Sequence, residues 1–310
     1  MRSAGECFNE AGLVVFERGW LSSNNVLFAG DESTEAVLVD TGYATHREQT
    51  VALMLRALAG RPLDRIINTH LHSDHCGGNQ ALQAVFGCKI DVPEAEIAKV
   101  DAWDMEALTF EATGQTCERF VRTGAIGPHR RVRLGRHSWD VVAAPGHDPS
   151  SIALHQPELG VLVSADALWE NGFGVVFPEL EGAQAFDDVG ECLERFAALD
   201  VEWVIPGHGA PFSEVDVAIS RAMRRLAGFK AAPDRHAWHA AKVLVKFHML
   251  EVQTCPADTL REWMTRTPYL DEIHRRYFSR RSLEVLCTTL IRELVDAGKL
   301  RVDSGLVYDA

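Results

Sequence analysis

The sequence predicts an α/β domain followed by a mostly helical C-terminal region, and three patterns lead to this fold class. Short apolar or β-branched runs, separated by Gly, Ser and Asn turns, recur in both halves of the first 212 residues. Between several of these runs, apolar residues recur at helical spacing, which gives strand–helix alternation. After Phe212 the helical spacing dominates. We therefore predict an α/β domain with two β-rich halves over 1–213 and a helical domain over 214–310.

The elements of the first domain follow from these patterns in chain order. Strands are predicted at 13–16, 25–28, 36–40, 65–70, 88–92, 131–134, 138–143, 152–155, 160–164 and 202–206. Helices are predicted at 48–58, 77–86, 94–123 and 184–199, with a loop at 123–129. The aromatic residues of 94–130 predict either a wall over a functional site or a plain pair of surface helices.

The C-terminal domain reads as helices followed by a short hairpin. Its helices are predicted at 214–230, 235–250, 256–265, 270–277 and 281–297, and its hairpin at 298–302 and 305–308. A helix followed by a hairpin is typical of a winged-helix-like unit. No Pro/Gly/Ser-rich linker lies near residue 213, so we expect these helices to pack against the first domain. His236, His239 and His248 share helical spacing and are interpreted as surface or packing residues.

Composition and charge limit the classes of function. The chain has 310 residues with 46% hydrophobic and 24% charged side chains, which is typical of a globular protein. No apolar run is long enough for a membrane span, and residues 1–9 lack a secretory signal, so we expect a cytoplasmic location. Seven cysteines without a Cys-x-x-Cys pair indicate reduced thiols and no structural zinc knuckle.

The net charge of −13 is distributed unevenly along the chain. Residues 1–213 carry −16, whereas residues 214–310 carry +3. An acidic body does not attract polyanions over long distances, so a nucleic-acid partner is not expected. The basic C-terminal domain, with its Arg275-Arg276 and Arg280-Arg281 pairs, leaves that alternative open.

Four candidate metal ligands lie within six residues of the run Thr69-His-Leu-His-Ser-Asp-His-Cys-Gly-Gly78. His70 and His72 follow a strand at a spacing that points both side chains to one face. Asp74 and His75 lie in the following turn and can reach a second metal. Imidazole and carboxylate ligands together suit Zn²⁺, Fe²⁺ or Mn²⁺.

Three further candidates stand where predicted strands end or tight turns begin. His147 follows Pro145-Gly146, Asp166 follows the strand at 160–164, and His208 follows Pro206-Gly207. Taken singly, each of the three could be an ordinary turn or capping residue. Their order after the six-residue cluster favours metal ligation for all three.

This set of residues resembles the metallo-β-lactamase superfamily: a His-x-His-x-Asp-His motif, then a Gly-His, an Asp and a second Gly-His. The resemblance covers residues 13–212 and implies an αββα sandwich, with two sheets face to face and helices outside. It also implies two metal ions, predicted to be zinc, with iron or manganese as alternatives. By this likeness one metal takes His70, His72 and His147, the other takes Asp74, His75 and His208, and Asp166 bridges them.

The resemblance also narrows the function. Asp166 at the bridging position, where some antibiotic-hydrolysing members carry Cys, points away from those enzymes. Only 42 positions separate Asp166 from His208, which leaves no room for the inserted cap of the nucleic-acid-processing branch. Members with a similar helical C-terminal domain hydrolyse acyl thioesters in some cases and single-stranded RNA in at least one. The Tyr and basic residues by which glyoxalase II holds glutathione are not visible here.

We therefore predict a hydrolase that cleaves a small-molecule thioester, ester or lactone with a hydroxide shared by two metals. Asp74 and Asp166 are the predicted catalytic residues. The alternative is a single-stranded nucleic-acid endonuclease that uses the same metals; β-lactam hydrolysis and a non-catalytic regulator are less favoured. The predicted partner is a small-molecule substrate and not a membrane, with homodimerisation left open.

Overall fold

Two β-sheets form the centre of the N-terminal region in the computed structural model, which describes residues 2–310. The strands of the first sheet are β1 (Leu13–Phe16), β2 (Asn25–Phe28), β3 (Val37–Val39), β4 (Arg65–Ile67), β5 (Lys89–Pro93) and β6 (Gly124–Ile126). They neighbour one another in sequence order. The pairs β1–β2 and β2–β3 are antiparallel, and the pairs from β3 to β6 are parallel.

The second sheet has five strands. They are β7 (Arg131–Leu134), β8 (His137–Ala143), β9 (Ile152–Gln156), β10 (Val161–Ala165) and β11 (Trp203–Pro206). They neighbour one another in sequence order, and only β10–β11 is parallel. The carboxyl ends of β10 and β11 therefore meet at one edge of this sheet, just before Asp166 and His208.

Helices flank the two sheets and connect several of their strands. They are α1 (Ala4–Ala11), α2 (Arg47–Leu58), α3 (Ser73–Cys76), α4 (Asn79–Phe86), α5 (Ile97–Ala102), α6 (Phe110–Thr113), α7 (Phe177–Glu181), α8 (Ala185–Ala197) and α9 (Val215–Ala231). Short 3₁₀ turns occupy Ala44–His46 and Glu94–Glu96.

The apolar core divides into layers, as a sandwich requires. Phe28 and Val39 of the first sheet meet Trp139 and Ile205 of the second in the layer between the sheets. The ring of Trp139 is fully buried and packs edge-on against Phe28, with centroids 5.2 Å apart. The helices α2 and α4 bury their apolar faces on the first sheet, and α8 and α9 bury theirs on the second. The predicted αββα sandwich is confirmed.

The C-terminal region has its own apolar core. Its elements are α10 (Pro233–Val252), β12 (Thr254–Pro256), α11 (Ala257–Arg266), α12 (Pro268–Tyr277), α13 (Leu283–Asp296), β13 (Leu300–Asp303) and β14 (Leu306–Asp309). The helix α13 followed by the β13–β14 hairpin agrees with the predicted winged-helix-like unit. The hairpin gains a third strand, β12, which the sequence did not predict. The boundary between 1–213 and 214–310 stays a prediction.

The predicted helix over 94–123 is wrong for most of its length. Only α5 and α6 are α-helical there, because Trp103, Thr109 and Gly114 adopt left-handed backbone angles that interrupt a helix. The chain then extends, and β6 replaces part of the predicted loop at 123–129 by pairing in parallel with β5. The aromatic residues Trp103, Phe110 and Phe120 pack on the outer face of the first sheet, in the core cluster that includes α2 and α4.

The N-terminal helix α1 was also not predicted. Ser3 and Glu6 form a reciprocal capping box at its start, and Gly12 ends it with a left-handed angle. Cys7 and Ala11 then pack into the layer between the sheets. Within residues 2–310, no helix combines the length and the apolar character that crossing a membrane requires.

Candidate metal centre

All seven predicted ligands gather at one edge of the sandwich. His70 and His72 follow β4, Asp74 and His75 lie in α3, and the other three lie in the loops after β8, β10 and β11; all seven are buried. Their ligand atoms form two groups in which every atom lies within 4.8 Å of the others. The first group is His70, His72 and His147, and the second is Asp74, His75, Asp166 and His208. We call these the imidazole cluster and the carboxylate cluster.

The imidazole cluster has its nitrogens turned inward. His147 donates its Nδ1 proton to the carbonyl oxygen of Val175 at 2.5 Å, which leaves the Nε2 lone pair of His147 free. That Nε2 lies 2.7 Å from Nδ1 of His72. Two nitrogen lone pairs so close together repel each other unless a proton or a cation lies between them. The buried Nε2 of His70 has no hydrogen-bond partner among residues 2–310.

In the carboxylate cluster, one nitrogen of His75 is likewise bonded outward and the other faces the cluster. His75 donates its Nδ1 proton to Asp40 at 2.8 Å, so its Nε2 is the ring nitrogen that faces the cluster. That Nε2 is buried, has no hydrogen-bond partner among the described residues, and lies 3.4 Å from Oδ1 of Asp166. His208 completes the group, with its Nε2 3.0 Å from Oδ2 of Asp74.

Asp166 lies between the two clusters. Its Oδ2 is 3.5 Å from Nε2 of His147 in one cluster and 3.8 Å from Nε2 of His208 in the other. The indole of Trp169 donates to Oδ1 of Asp166 at 3.2 Å. Gly207 lies directly behind the same oxygen, and a Cβ at that position would collide with Oδ1. The Trp169 indole, the backbone at Gly207 and the histidines of the two clusters therefore surround the carboxylate of Asp166.

Burial and charge set opposite protonation tendencies in the two clusters. Burial lowers the pKa of His72 and of His147 to about 4, and the pKa of His70 well below its usual range. Burial also lowers the pKa of His75, but the carboxylates of Asp166, Asp40 and Asp74 outweigh it, so that pKa is raised well above its ordinary value.

The carboxylates respond in the same way to their neighbours. Burial raises the pKa of Asp166, but His208 and His75 outweigh that effect and hold it well below its usual range. The pKa of Asp74 is likewise lowered, because His75 and the hydrogen bond from His208 exceed the effect of burial. Two ionised carboxylates and several neutral imidazoles are the forms that ligate cations.

The donor set fits two divalent cations. Five imidazoles and two carboxylates converge, and the ion pairs of Asp74 and Asp166 within residues 2–310 are all with histidines. The unpartnered Nε2 atoms of His70 and His75 supply one open donor to each cluster. Buried polar atoms normally find a partner, so these two atoms indicate a ligand. Nitrogen and carboxylate donors suit Zn²⁺, Fe²⁺ or Mn²⁺.

Asp40 is a functional residue that the sequence analysis missed. The sequence predicted it as the end of a strand before a tight turn. The structure places its carboxylate against His75 and against Thr69, whose backbone N–H and Oγ1 donate to it at 2.9 and 2.7 Å. Its position at the end of a predicted strand could have indicated this role. β3 and β4 are parallel neighbours, so their carboxyl ends, with Asp40 and the His70 motif, meet at one edge of the sheet.

Two tryptophans form an apolar rim beside His208. Trp20 stacks on the imidazole with centroids 5.4 Å apart and an interplanar angle of 10°. Trp169 meets both rings edge-on. Trp20 is nevertheless 57% exposed, so one face of this pair is open to solvent. On the other side of the centre, Phe177 packs against His72 and His147.

The C-terminal helices reach the centre, as the sequence predicted. The peptide group between Val175 and Val176 is bonded at both ends: its carbonyl accepts from His147, and its N–H donates to Nε2 of His236 at 3.1 Å. His236 is buried on α10, so its sequence interpretation as a packing residue was incomplete. Tyr269 of α12 packs against Phe177 with centroids 5.2 Å apart.

An αββα sandwich that gathers five histidines and two aspartates at one edge defines a class of metal-binding α/β proteins. Residues 18–208 match the family model described as the metallo-beta-lactamase superfamily. Because that match covers more than half of the chain, the protein belongs to this superfamily. The recognition made from the ligand motif is confirmed.

Curated relatives of the chain are hydroxyacylglutathione hydrolases. The chain is 31% identical to the one from Maricaulis maris over 191 residues, which are 61% of this chain and 63% of the relative. It is 30% identical to the one from Rhizobium meliloti over 162 residues, 52% of this chain and 54% of the relative. The matched part thus spans less than two thirds of these two relatives.

Solved structures support the fold along nearly the whole chain. A metallo-beta-lactamase family protein from Thermus thermophilus has a TM-score of 0.56 at 20% identity, over 96% of this chain and 99% of that one. A beta-lactamase domain protein from Burkholderia ambifaria also has a TM-score of 0.56, at 21% identity, over 96% and 91%. These likenesses extend through the C-terminal helices.

Proposed function

We propose that the chain is a metal-dependent hydrolase of a small-molecule thioester, with esters and lactones as the nearest alternatives. The position of Asp166 carries the proposal, because its carboxylate lies within 4 Å of imidazoles from both clusters. A carboxylate in that position suits a shared ligand of two cations. The proposed metals are two zinc ions, with iron or manganese as alternatives.

The chemistry divides between the cations and the chain. Two divalent cations bound at such a centre lower the pKa of water towards neutrality and polarise a substrate carbonyl. The side chains of the two clusters keep those cations in position. Asp74, which the neighbouring histidines hold ionised, can orient a water molecule and accept a proton from it. A thiolate leaves without a proton because the pKa of a thiol, about 8.5, is close to neutral.

The rim favours an acyl donor with an apolar part. The exposed face of Trp20 and the edge of Trp169 offer an aromatic surface beside His208. Such surfaces bind flat or apolar groups that lose contact with water. The relatives named hydroxyacylglutathione hydrolase support a thioester. The Tyr and basic residues that glyoxalase II uses for glutathione are not visible in the sequence, so the thiol part stays open.

A substrate panel tests the proposal. Protein loaded with zinc, iron or manganese is given an acyl-glutathione thioester, an aryl ester, a lactone, a β-lactam and a single-stranded oligoribonucleotide. We expect kcat/KM to be largest for the thioester and lost in Asp166→Ala. The control is Asp187→Ala, which removes a surface carboxylate that pairs with Lys230. Turnover of only the oligoribonucleotide or the β-lactam, or equal rates in both variants, contradicts the proposal.

The variant Trp20→Ala tests whether the acyl group of the substrate binds at the aromatic rim. Replacing Trp20 by Ala removes the exposed aromatic face while leaving all seven ligands in place. We expect a higher KM for aromatic acyl thioesters and little change for acetyl thioesters. Equal effects on both substrates would place the acyl group elsewhere.

A further inference from the structure

A cavity in the C-terminal half lies outside the candidate metal centre. It has a volume of about 600 Å³, and none of its lining residues is a candidate metal ligand. The lining comes from α9, α10 and the region from Phe278 to α13. Its charged and aromatic members include Arg225, Arg235, Trp238, Lys242, Phe278 and Arg281.

The cavity is positively charged within an acidic protein. Four cationic side chains line it against two carboxylates, Asp234 and Glu293. Glu293 already accepts from the indole of Trp238 at 2.8 Å and lies 3.6 Å from Nζ of Lys242. Asp234 lies in the first turn of α10, where the helix dipole stabilises a carboxylate. The lining therefore keeps a net charge of +2.

The three arginines have no acidic partner. Within residues 2–310, no carboxylate oxygen lies within 4.0 Å of Arg225, Arg235 or Arg281, although the chain carries 44 acidic residues. Arg225 is half-buried, with its guanidinium over the ring of Phe229 at 5.3 Å and its Nη2 donating to Nε2 of His239 at 2.7 Å. A half-buried guanidinium without a counter-ion favours an anionic ligand.

The aromatic lining adds a second requirement on that ligand. Trp238 and Phe278 pack edge-on with centroids 5.1 Å apart beside the arginines. Guanidinium groups bind phosphate oxygens bidentately, and aromatic rings stack on planar bases. We propose that this cavity binds a mononucleotide or another small ligand that joins a phosphate to a planar ring.

Binding at this cavity does not require the proposed hydrolysis. One loop nevertheless connects the cavity to the metal centre. Arg225 approaches the carbonyl of Asn171, and Arg221 approaches that of Glu170, both at 3.4 Å. The same loop carries Trp169, whose indole donates to Asp166. A ligand that binds Arg225 would therefore contact a residue that is also hydrogen-bonded to the loop carrying Trp169.

Binding of ADP to the metal-loaded protein tests the proposal. Calorimetry and tryptophan fluorescence follow ADP, with adenosine and pyrophosphate as probes that lack the phosphates or the ring. We expect ADP to bind at least ten times more tightly than either probe. Arg235→Ala with Arg281→Ala should weaken ADP binding at least tenfold, and Trp238→Ala should also weaken it. Arg56→Ala, which removes an exposed and unpaired arginine on α2, is the matched control and should have no effect.

Several outcomes overturn the assignment. Failure of ADP to bind at millimolar concentration does so, and so does an equal loss in Arg56→Ala. An oligoribonucleotide that binds more tightly than ADP and loses affinity in the double variant would assign the cavity to nucleic acid instead. Because ADP could also bind the metals, Asp166→Ala is measured in parallel. Unchanged ADP binding there supports the cavity even if no thioester is hydrolysed, and its loss places ADP at the metal centre.

Discussion

The two halves of the candidate metal centre are built from different chemistry. The imidazole cluster contains three histidines whose pKa values are lowered by burial, so its donors are neutral. The carboxylate cluster contains two ionised aspartates, and their charge raises the pKa of His75. The three members of the imidazole cluster would offer a cation only neutral nitrogens, whereas the carboxylate cluster includes two negative side chains. Asp166 lies 3.5 Å from His147 and 3.8 Å from His208, and we propose that both halves share its carboxylate.

Removing that shared carboxylate should have the largest effect. In Asp166→Ala we expect kcat/KM for the thioester to fall by about a thousandfold or more, because both halves lose a ligand. The chelated variant should still unfold in a cooperative thermal transition, since the residue lies at the edge of the core. Steady-state kinetics and calorimetry measure both quantities. Near-native turnover would show that the halves do not share Asp166.

Removing one histidine from either half should separate the two sites. We expect His147→Ala and His208→Ala each to retain about one cation per chain and to lose activity by about a hundredfold. Elemental analysis after gel filtration measures the stoichiometry. His137→Ala, which removes a histidine outside the centre, is the control and should keep two cations. If either ligand variant keeps two cations or loses both, the division into halves is wrong.

The stability of the metal-free protein should depend on pH with opposite signs in the two halves. His72 and His147 have folded pKa values of about 4, below an unfolded value of about 6.5, so stability falls as the pH drops from 6.5 to 4. Each contributes roughly 3 kcal/mol over that window, to order of magnitude. His75 has a raised folded pKa, so its contribution is complete below 6.5 and is lost at higher pH.

Urea unfolding in chelator from pH 4 to pH 8 measures this dependence. His147→Gln should show a smaller decline in unfolding free energy between pH 6.5 and 4 than the native chain. An unchanged slope in that variant would show that His147 is protonated in the folded protein. The variant should not alter the change above pH 6.5, which belongs to the carboxylate cluster.

Asp40→Asn sharpens the comparison by changing the side chain that orients His75. The amide keeps the size of the side chain but removes the charge that fixes the His75 Nδ1 proton. We expect the affinity for one of the two cations to fall about 10- to 100-fold. Competition with a chelator of known affinity measures it. Equal weakening of both cations would mean that Asp40 supports the whole edge of the sheet and not one half.

The smallest effect is expected at His236. In His236→Ala the N–H of Val176 loses its acceptor, and His147 is affected only through the intervening peptide group. We expect a reduction of about threefold in cation affinity at the imidazole cluster, well below that of a direct partner of a ligand. His274→Ala, at a more exposed histidine of the C-terminal domain, is the control. A loss of cation affinity as large as that in Asp40→Asn would show that His236 supports the site as strongly as Asp40 does.

Four of the seven candidate ligands were predicted from local geometry, whereas His147, Asp166 and His208 were predicted from their order along the chain. His70, His72, Asp74 and His75 are neighbours in the chain, so their convergence follows from strand and turn geometry alone. Asp40 was missed because its partner is 35 positions away and is reached only when β3 pairs with β4. Trp20 was missed for the same reason, since its contact with His208 joins a loop of the first sheet to one of the second.

The wrong prediction of a helix over 94–123 has a different cause. Apolar and aromatic residues recur there at spacings that fit a helix, but Thr109 takes a left-handed angle that no periodic pattern reveals. The segment after Gly114 then binds the edge of β5, with Thr123 hydrogen-bonded to the backbone of Ile90. Competition from a sheet edge is a tertiary effect, and local spacing does not record it.

The peptide group between Val175 and Val176 has a consequence for how such proteins can be recombined. Its two hydrogen bonds polarise one amide in the same direction, so each bond strengthens the other. A chain cut before α10, or fused to a foreign C-terminal domain, would keep all seven candidate ligands yet leave that amide bonded at one end only. The C-terminal helices are therefore not an interchangeable module, and any graft would have to supply an acceptor where His236 now lies.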